Sequence, residues 1–225
     1  MLTPPRMQSQ DPFPKALSDN GGLASGDRAT EQDNAQPARP WLARLCRAIA
    51  KDVENLNLRL FLANLLVALL PDGSFSRLRT AIYRLGGLRI GPYSRIDGRI
   101  QFTGNGDPQQ RLRIGASTFI NSNLFVDLNA DVHIGDKVGI GHHVTLITAD
   151  HKIGPSACRV GDLRPEPINI QDGCWIGACS TILPGVTIGK SSIVAAGSVV
   201  SGKVPANKMV GGAPARPLKS LPEKP

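Results

Sequence analysis

Aromatic residues are scarce in this chain, at 4% Phe, Trp and Tyr. Any core must therefore be filled by aliphatic side chains. No basic stripe is interleaved with aromatics, so the net charge of +8 does not read as a nucleic-acid groove. Cysteine is sparse as well: Cys46, Cys158, Cys174 and Cys179 form no CxxC pair, which argues against a zinc ribbon or a disulfide framework. Cys174 and Cys179 are expected to pack as small side chains. No apolar run reaches the roughly twenty residues that a bilayer span requires; the longest, Leu60 to Leu70, has eleven. The N-terminus lacks the basic-then-apolar order of a signal peptide. These absences place the expected location in a reducing cytoplasm.

What the chain does have is a beat of six. Ile170, Ile176, Ile182, Ile188, Val194 and Val200 are evenly spaced and β-branched, and Gly177, Gly189, Ala195 and Ser201 follow four of them. The phase continues upstream at Ile134, Ile140 and Leu146. Ile114, Ile120, Val126 and Val132 keep the period, with a two-residue slip before Ile134. Neither a helix nor a plain alternating strand gives this spacing. An internal repeat sets the architecture. Here it predicts an all-β solenoid, a triangular parallel β-helix of three short faces per eighteen-residue turn. One aliphatic per face points inward and stacks on the turn below. Small residues beside it permit the tight corner.

The organisation follows from where the beat is absent. Residues 1–40 are rich in Pro, Gln, Ser, Gly and Asp, and their composition predicts a disordered tail. Residues 41–87 read as an N-terminal helical segment. Trp41, Leu45, Ile49, Val53, Leu56 and Leu60 step by three or four, and a second helix carries Phe75, Leu78, Ile82 and Leu85 on one side. Gly86-Gly87 ends it. This segment would cap the open end of the solenoid, and its basic amphipathic character also suits a membrane surface. The solenoid covers 88–205, with a turn-rich interruption from Thr103 to Gln110. Lys152, Cys158 and Arg164 fall on in-phase sites that should be aliphatic, so 152–167 should leave the helix as a loop, where binding work concentrates. Residues 206–225 form a C-terminal tail. Charge is uneven: four bases against five acids in 1–40, eight against three in 41–90, and fourteen against ten in 91–225. From Lys190 onward there are six bases and one acid, which suits an anionic ligand.

His151 stands where the loop departs, and an imidazole can accept a proton at neutral pH. Asp150 beside it would point to the opposite face of a strand, so a more distant carboxylate or carbonyl is an equal candidate for orienting the ring. Asn121 carries an amide that both donates and accepts, which suits a polyol, although it equally fits a solenoid corner.

The repeat, the loop at His151, the stretch Cys174-Trp175-Ile176-Gly177 and the tail Gly211-Gly212-Ala213-Pro214-Ala215-Arg216 together resemble the hexapeptide-repeat acyltransferases. The resemblance spans roughly 88–219 and is closest to galactoside, maltose and polysaccharide O-acetyltransferases. It implies a left-handed parallel β-helix, a homotrimer with active sites between subunits, and acetyl-CoA as donor. His151 then matches the general base and Asn121 an acceptor-site residue. Trp175 matches an aromatic beside the pantetheine channel. Ala178 and Ala196 match positions whose backbone contacts the pantetheine arm, and Ser201 a hydroxyl residue at the cofactor. Arg216 and Lys219 match basic positions near the nucleotide phosphates, where a guanidinium pairs well with phosphate oxygens. Gly202 stands where the family has a lysine, with Lys203 one place later.

The reading these features support is a cytoplasmic acetyl-CoA-dependent O-acetyltransferase. It would act on a saccharide hydroxyl in surface polysaccharide biosynthesis, with peripheral membrane contact through 41–87. An N-acetyltransferase acting on an amine and a non-catalytic trimeric scaffold are the alternatives. Some trimeric β-helix proteins bind zinc through histidine pairs late in the repeat, but no histidine follows His151, so no metal is expected.

Overall fold

The computed structural model describes residues 57–223. The expected disordered tail, Cys46 and the helical pattern of 41–56 lie outside the described residues. Helix α1 (Leu58–Ala68) and helix α2 (Ser76–Leu85) precede a triangular prism of roughly five turns. Face I stacks β1 (Arg89–Ile90), β4 (Leu112–Ile114), β7 (Val132–Ile134), β12 (Ile168–Ile170) and β15 (Thr187–Ile188). Face II stacks β2 (Arg95–Ile96), β5 (Phe119–Ile120), β8 (Gly139–Ile140), β13 (Trp175–Ile176), β16 (Ile193–Val194) and β18 (Lys208–Gly211). Face III stacks β3 (Ile100–Thr103), β6 (Leu124–Asp127), β9 (Thr145–Leu146), β14 (Thr181–Ile182) and β17 (Val199–Val200). All of these strands pair in parallel.

The six-residue beat is the inward column. Ile134, Ile140, Leu146, Ile170, Ile176, Ile182, Ile188, Val194 and Val200 are all buried, and Ile134 pairs with Ile170 while Ile140 pairs with Ile176. The expectation of one inward residue per face is too sparse, because the side chain two positions earlier also points in. On face I this second position holds Leu112, Val132 and Ile168. On faces II and III it holds Leu124, Val138 and Val144, and otherwise buried hydroxyls and a thiol that bond backbone carbonyls. Ser94 Oγ donates to Gly115 O at 2.7 Å, Thr118 Oγ1 to Gly135 O at 2.8 Å, and Ser192 Oγ to Pro205 O at 2.7 Å. Cys174 takes the same place, its thiol 3.0 Å from Gly189 O, and burial raises its pKa. Cys179 does not pack inward; it is exposed at a corner with φ 58°.

Corners recur three residues after the inward aliphatic and take the left-handed conformation. Lys137, Gly173 and Ser191 do so between faces I and II, and Asn123, His143, Cys179 and Gly197 between faces II and III. His142 and His143 are therefore corner residues. Glycine is required just before such a corner at Gly177, where a Cβ would collide with the backbone of Ala195 and Ala196.

Two interruptions break the turns. Between β3 and β4 the chain makes a short loop and one helical turn, α3 (Pro108–Arg111), with Asp107 capping it through Gln109 N at 3.0 Å. The second interruption, expected as a loop over 152–167, is an antiparallel hairpin of β10 (Ala149–Ile153) and β11 (Val160–Pro165). It leaves the prism at the edge between faces III and I, three residues before the expected start.

The helical cap departs from its amphipathic reading. Of the stripe Phe75, Leu78, Ile82, Leu85 only Ile82 packs against the core; Phe75, Leu78 and Leu85 are exposed. The buried residues of α2 are Arg79, Thr80 and Tyr83. The first turn of a parallel stack has unpaired backbone groups; Thr80 and Tyr83 meet them, and Arg79 ties them to the connection between the helices. Tyr83 Oη accepts from Ile100 N at 3.0 Å, and Thr80 Oγ1 accepts from Ile96 N at 3.0 Å. The fully buried Arg79 guanidinium donates to the carbonyls of Asp97 (2.7 Å), Ser74 (2.9 Å), Pro71 (2.9 Å) and Leu70 (3.2 Å). Asp72 lies 4.0 Å from it.

Candidate active site

The hairpin carries an exposed imidazole on its first strand. His151 pairs across it with Leu163, and its Nδ1 lies 2.8 Å from the carbonyl of Gly161. A carbonyl only accepts, so Nδ1 donates in this contact, and in the neutral ring Nε2 is the nitrogen that lacks a proton. Gly161 is therefore the group that orients the ring. A Cβ there would crowd Lys152 O, which explains the glycine. Asp150 does not orient the imidazole: its Oδ1 accepts from the backbone N–H of His151 at 2.7 Å. The hairpin is further tied by Lys152 to Asp162 (3.3 Å) and Arg164 to Glu166 (3.1 Å), both exposed pairs worth little individually.

The other candidate residues lie on a different edge. Asn121 follows β5 where face II turns toward face III, and its Oδ1 accepts from Ser122 N at 2.9 Å in a local turn. One turn beyond, Gly141 N donates to Ile176 O. Ala178 and Ala196 continue the same edge on successive turns, since Gly177 N donates to Val194 O and Gly197 N to Ala178 O. Side chains along this edge are small, at Gly177, Ala178, Ala195 and Ala196. Trp175 projects from face II above Gly139, largely exposed. Next to this edge on face III is a shallow depression of about 530 Å³ lined by Gln101, Asn123, Phe125, His143 and Thr145.

At the far end, Ser201 follows β17 and is exposed. Arg216 and Lys219 lie on β19 (Arg216–Ser220), which runs antiparallel to β18 and closes face II. Both side chains are exposed, and among the described residues Arg216 donates only to the adjacent Ala215 O at 3.1 Å. The two guanidinium and ammonium groups are thus available to an anion. Within one chain, His151 stands on the III–I edge while Asn121, Ala178 and Ala196 stand on the II–III edge. A single subunit does not bring them together. Among the described residues, no cluster of three or more His, Cys, Asp or Glu side chains is placed to hold a metal ion.

Fold and site together define a triangular parallel β-helix that carries a histidine hairpin on one edge and a small-residue rail on another. The bacterial transferase hexapeptide (six repeats) family matches residues 167–202. Galactoside O-acetyltransferase of Escherichia coli is 34% identical over 113 residues, which is 50% of this chain and 56% of that protein. A hexapeptide-repeat acetyltransferase of Vibrio cholerae, solved in complex with acetyl-CoA, superposes with a TM-score of 0.64 at 33% identity, covering 76% of this chain and 90% of that one. A maltose O-acetyltransferase of Clostridium difficile superposes with a TM-score of 0.62 at 26% identity, covering 74% and 87%. The chain belongs to the hexapeptide-repeat acetyltransferases, in the branch of the galactoside and maltose O-acetyltransferases, and its solenoid is the left-handed parallel β-helix. It spans about half the length of the curated relatives it matches.

Proposed function

We propose that this protein transfers acetyl from acetyl-CoA to a sugar hydroxyl, with His151 as general base. The observation that carries this reading is the 2.8 Å contact from His151 Nδ1 to Gly161 O, which leaves Nε2 of the neutral ring without a partner among the described residues, near the base of an exposed hairpin. Nε2 would take the proton of the acceptor hydroxyl as its oxygen attacks the thioester carbonyl. Collapse of the tetrahedral intermediate would break the C–S bond, and the imidazolium would return the proton to the departing thiolate. The products are an acetyl ester and free CoA. General-base help of this kind is worth about 10² to 10⁴-fold in rate.

The donor would lie along the II–III rail, its amide-bearing arm against the backbone at Ala178 and Ala196, beside Trp175 and Ser201. Arg216 and Lys219 would meet its phosphates. Because His151 and the rail occupy different edges, the site is complete only if the hairpin of one subunit meets the rail of the next. This supports a homotrimer with three composite clefts, and Asn121 would then line the acceptor side. Replacing His151 with Ala should lower turnover at least 100-fold while acetyl-CoA binding persists. Replacing Arg216 with Ala should weaken acetyl-CoA binding by calorimetry. Intact donor binding and turnover in both variants would overturn the assignment. Hydroxylamine-labile products distinguish ester from amide, and so an O-acetyltransferase from an N-acetyltransferase.

The acceptor would be part of a surface polysaccharide or its lipid-linked precursor, reached from the inner face of the membrane. Among the described residues, no helix is long and apolar enough to cross a membrane. The cap nevertheless exposes Leu62, Leu65, Leu66, Leu69, Phe75 and Leu78 beside Arg59 and Arg77, a pairing that suits an anionic lipid surface. Sedimentation with phosphatidylglycerol vesicles should recover the wild type and lose the Leu65→Gln/Leu66→Gln variant. Equal recovery would sink the membrane-side acceptor.

A further inference from the structure

A buried carboxyl group lies directly beneath the hairpin. Asp127, at the end of β6 on face III, is 8% exposed, in a prism whose interior otherwise carries aliphatic, hydroxyl and thiol side chains. Its Oδ2 accepts from Thr148 N at 3.0 Å and lies 2.9 Å from Thr148 Oγ1. Its Oδ1 accepts from Asn129 Nδ2 at 2.7 Å. Thr148 is fully buried, and its Oγ1 also accepts from Ala130 N at 3.0 Å. Its single hydroxyl proton is directed at Asp127, to Oδ2 or to the backbone oxygen, both at 2.9 Å. Thr148 O in turn accepts from Glu166 N at 2.7 Å, the bond that closes the neck of the hairpin.

A charge-bearing group is costly to bury, so a carboxyl held here by directional bonds sets geometry more than it adds stability. Elsewhere the inward positions bond from one turn to the next and hold no loop. Here the bonds converge on the last residue of the stack, three positions before His151. We propose that Asp127 and Thr148 form a latch that fixes the angle and reach of the His151 hairpin, and that both act as positioning residues for proton transfer. This rests on the reading of His151 as the base. Misplacement of a catalytic group by about 1 Å can cost on the order of 100-fold in rate.

Thr148→Val keeps the shape and the backbone N–H but removes both hydroxyl bonds, and Asp127→Asn keeps an acceptor for Thr148 N. On the full-length protein, Thr148→Val should lower kcat about tenfold with KM for acetyl-CoA unchanged, because the donor rail lies on another edge. Hydrogen exchange followed by mass spectrometry should rise in peptides covering 149–165 and stay unchanged in those covering 168–200. Asp127→Asn should fall between Thr148→Val and the wild type in both readouts. A folded Thr148→Val variant with wild-type exchange in 149–165, or with faster exchange there and kcat within twofold of wild type, would overturn the latch. If the wild type itself transfers no acetyl group, the function reading fails, and exchange alone decides whether the latch holds the hairpin.

Discussion

The cap and the prism bury opposite chemistries. The prism encloses Ile, Val and Leu in stacked columns, whereas α2 turns Arg79, Thr80 and Tyr83 inward and leaves Phe75, Leu78 and Leu85 in solvent. The difference follows from what each surface meets. An interior turn has its strands paired above and below, so its inward positions are mostly apolar, with a few hydroxyls bonding between turns. The first turn has N–H and C=O groups without a neighbouring strand, and a buried unpaired group costs about 1–3 kcal/mol. A polar helix face that satisfies them is worth more at that end than another layer of leucine.

The largest test of this contrast is a column deletion. Ile176→Ala should cost about 2–5 kcal/mol in urea unfolding, through lost burial and the cavity left between turns. Arg79→Met keeps much of the side-chain volume but leaves at least four carbonyls without their donor, and should cost about 3 kcal/mol. A neutral result would reduce the cap to a simple hydrophobic lid. Tyr83→Phe should cost about 1 kcal/mol through the lost acceptor for Ile100 N.

Tyr83 also gives the cap a pH signature. Burial raises its phenol pKa above the ordinary value, outweighing its hydrogen bond with the Ile100 backbone and the nearby arginines. The folded state therefore holds the phenol proton more tightly than the unfolded chain. Its contribution is complete below the ordinary phenol pKa, near 10, and is lost as pH rises toward the folded value. Alkaline unfolding should be less steep in Tyr83→Phe. The prism shows the opposite sign at Asp172 on the I–II edge. The Asp136 backbone N–H (3.0 Å), and after it Lys190 (3.5 Å), hold the Asp172 carboxyl below the usual carboxylate value. Its stabilisation is present above the unfolded pKa and fades as pH falls through the folded one. Asp172→Asn should flatten the loss of stability on acidification below the ordinary carboxylate pKa, about 4, read by thermal melts across acidic pH. Smallest of all, Leu65→Gln/Leu66→Gln should change stability by no more than about 0.5 kcal/mol per site, since both side chains are exposed.

The turns from Ile168 to Val204 were legible because nothing interrupts their six-residue spacing. Upstream, the beat concealed as well as revealed. Ile134 and Ile170 are 36 residues apart (170 − 134) yet adjacent in the sheet. The hairpin inserts the length of a full turn and so preserves the phase while leaving the stack. Only Lys152, Cys158 and Arg164 at in-phase positions marked the excursion. His151 was legible from its place at that break. Gly161, Asp127 and Thr148 were not, because their pairing depends on which turn lies above which. The small-residue rail at Gly177, Ala178 and Ala196 could be read as corners, but its separation from His151 required the topology. The helical cap was legible, but not which side chains it buries, because helical periodicity reports where apolar residues fall, whereas a solenoid end selects hydrogen-bonding groups.

The parallel stacking of turns gives the molecule a graduated scale along its length. Equivalent corners recur at the interstrand spacing of about 4.8 Å, so any length along an edge is a whole number of such steps. His151 leaves the stack after β9, and Ala178, Ala196 and the β18–β19 tail with Arg216 follow on later turns. Deleting one eighteen-residue turn would shorten the interval from imidazole to guanidinium by one graduation and leave every corner angle intact. Such a series of proteins would measure, in fixed increments, the length of donor that the edge accepts.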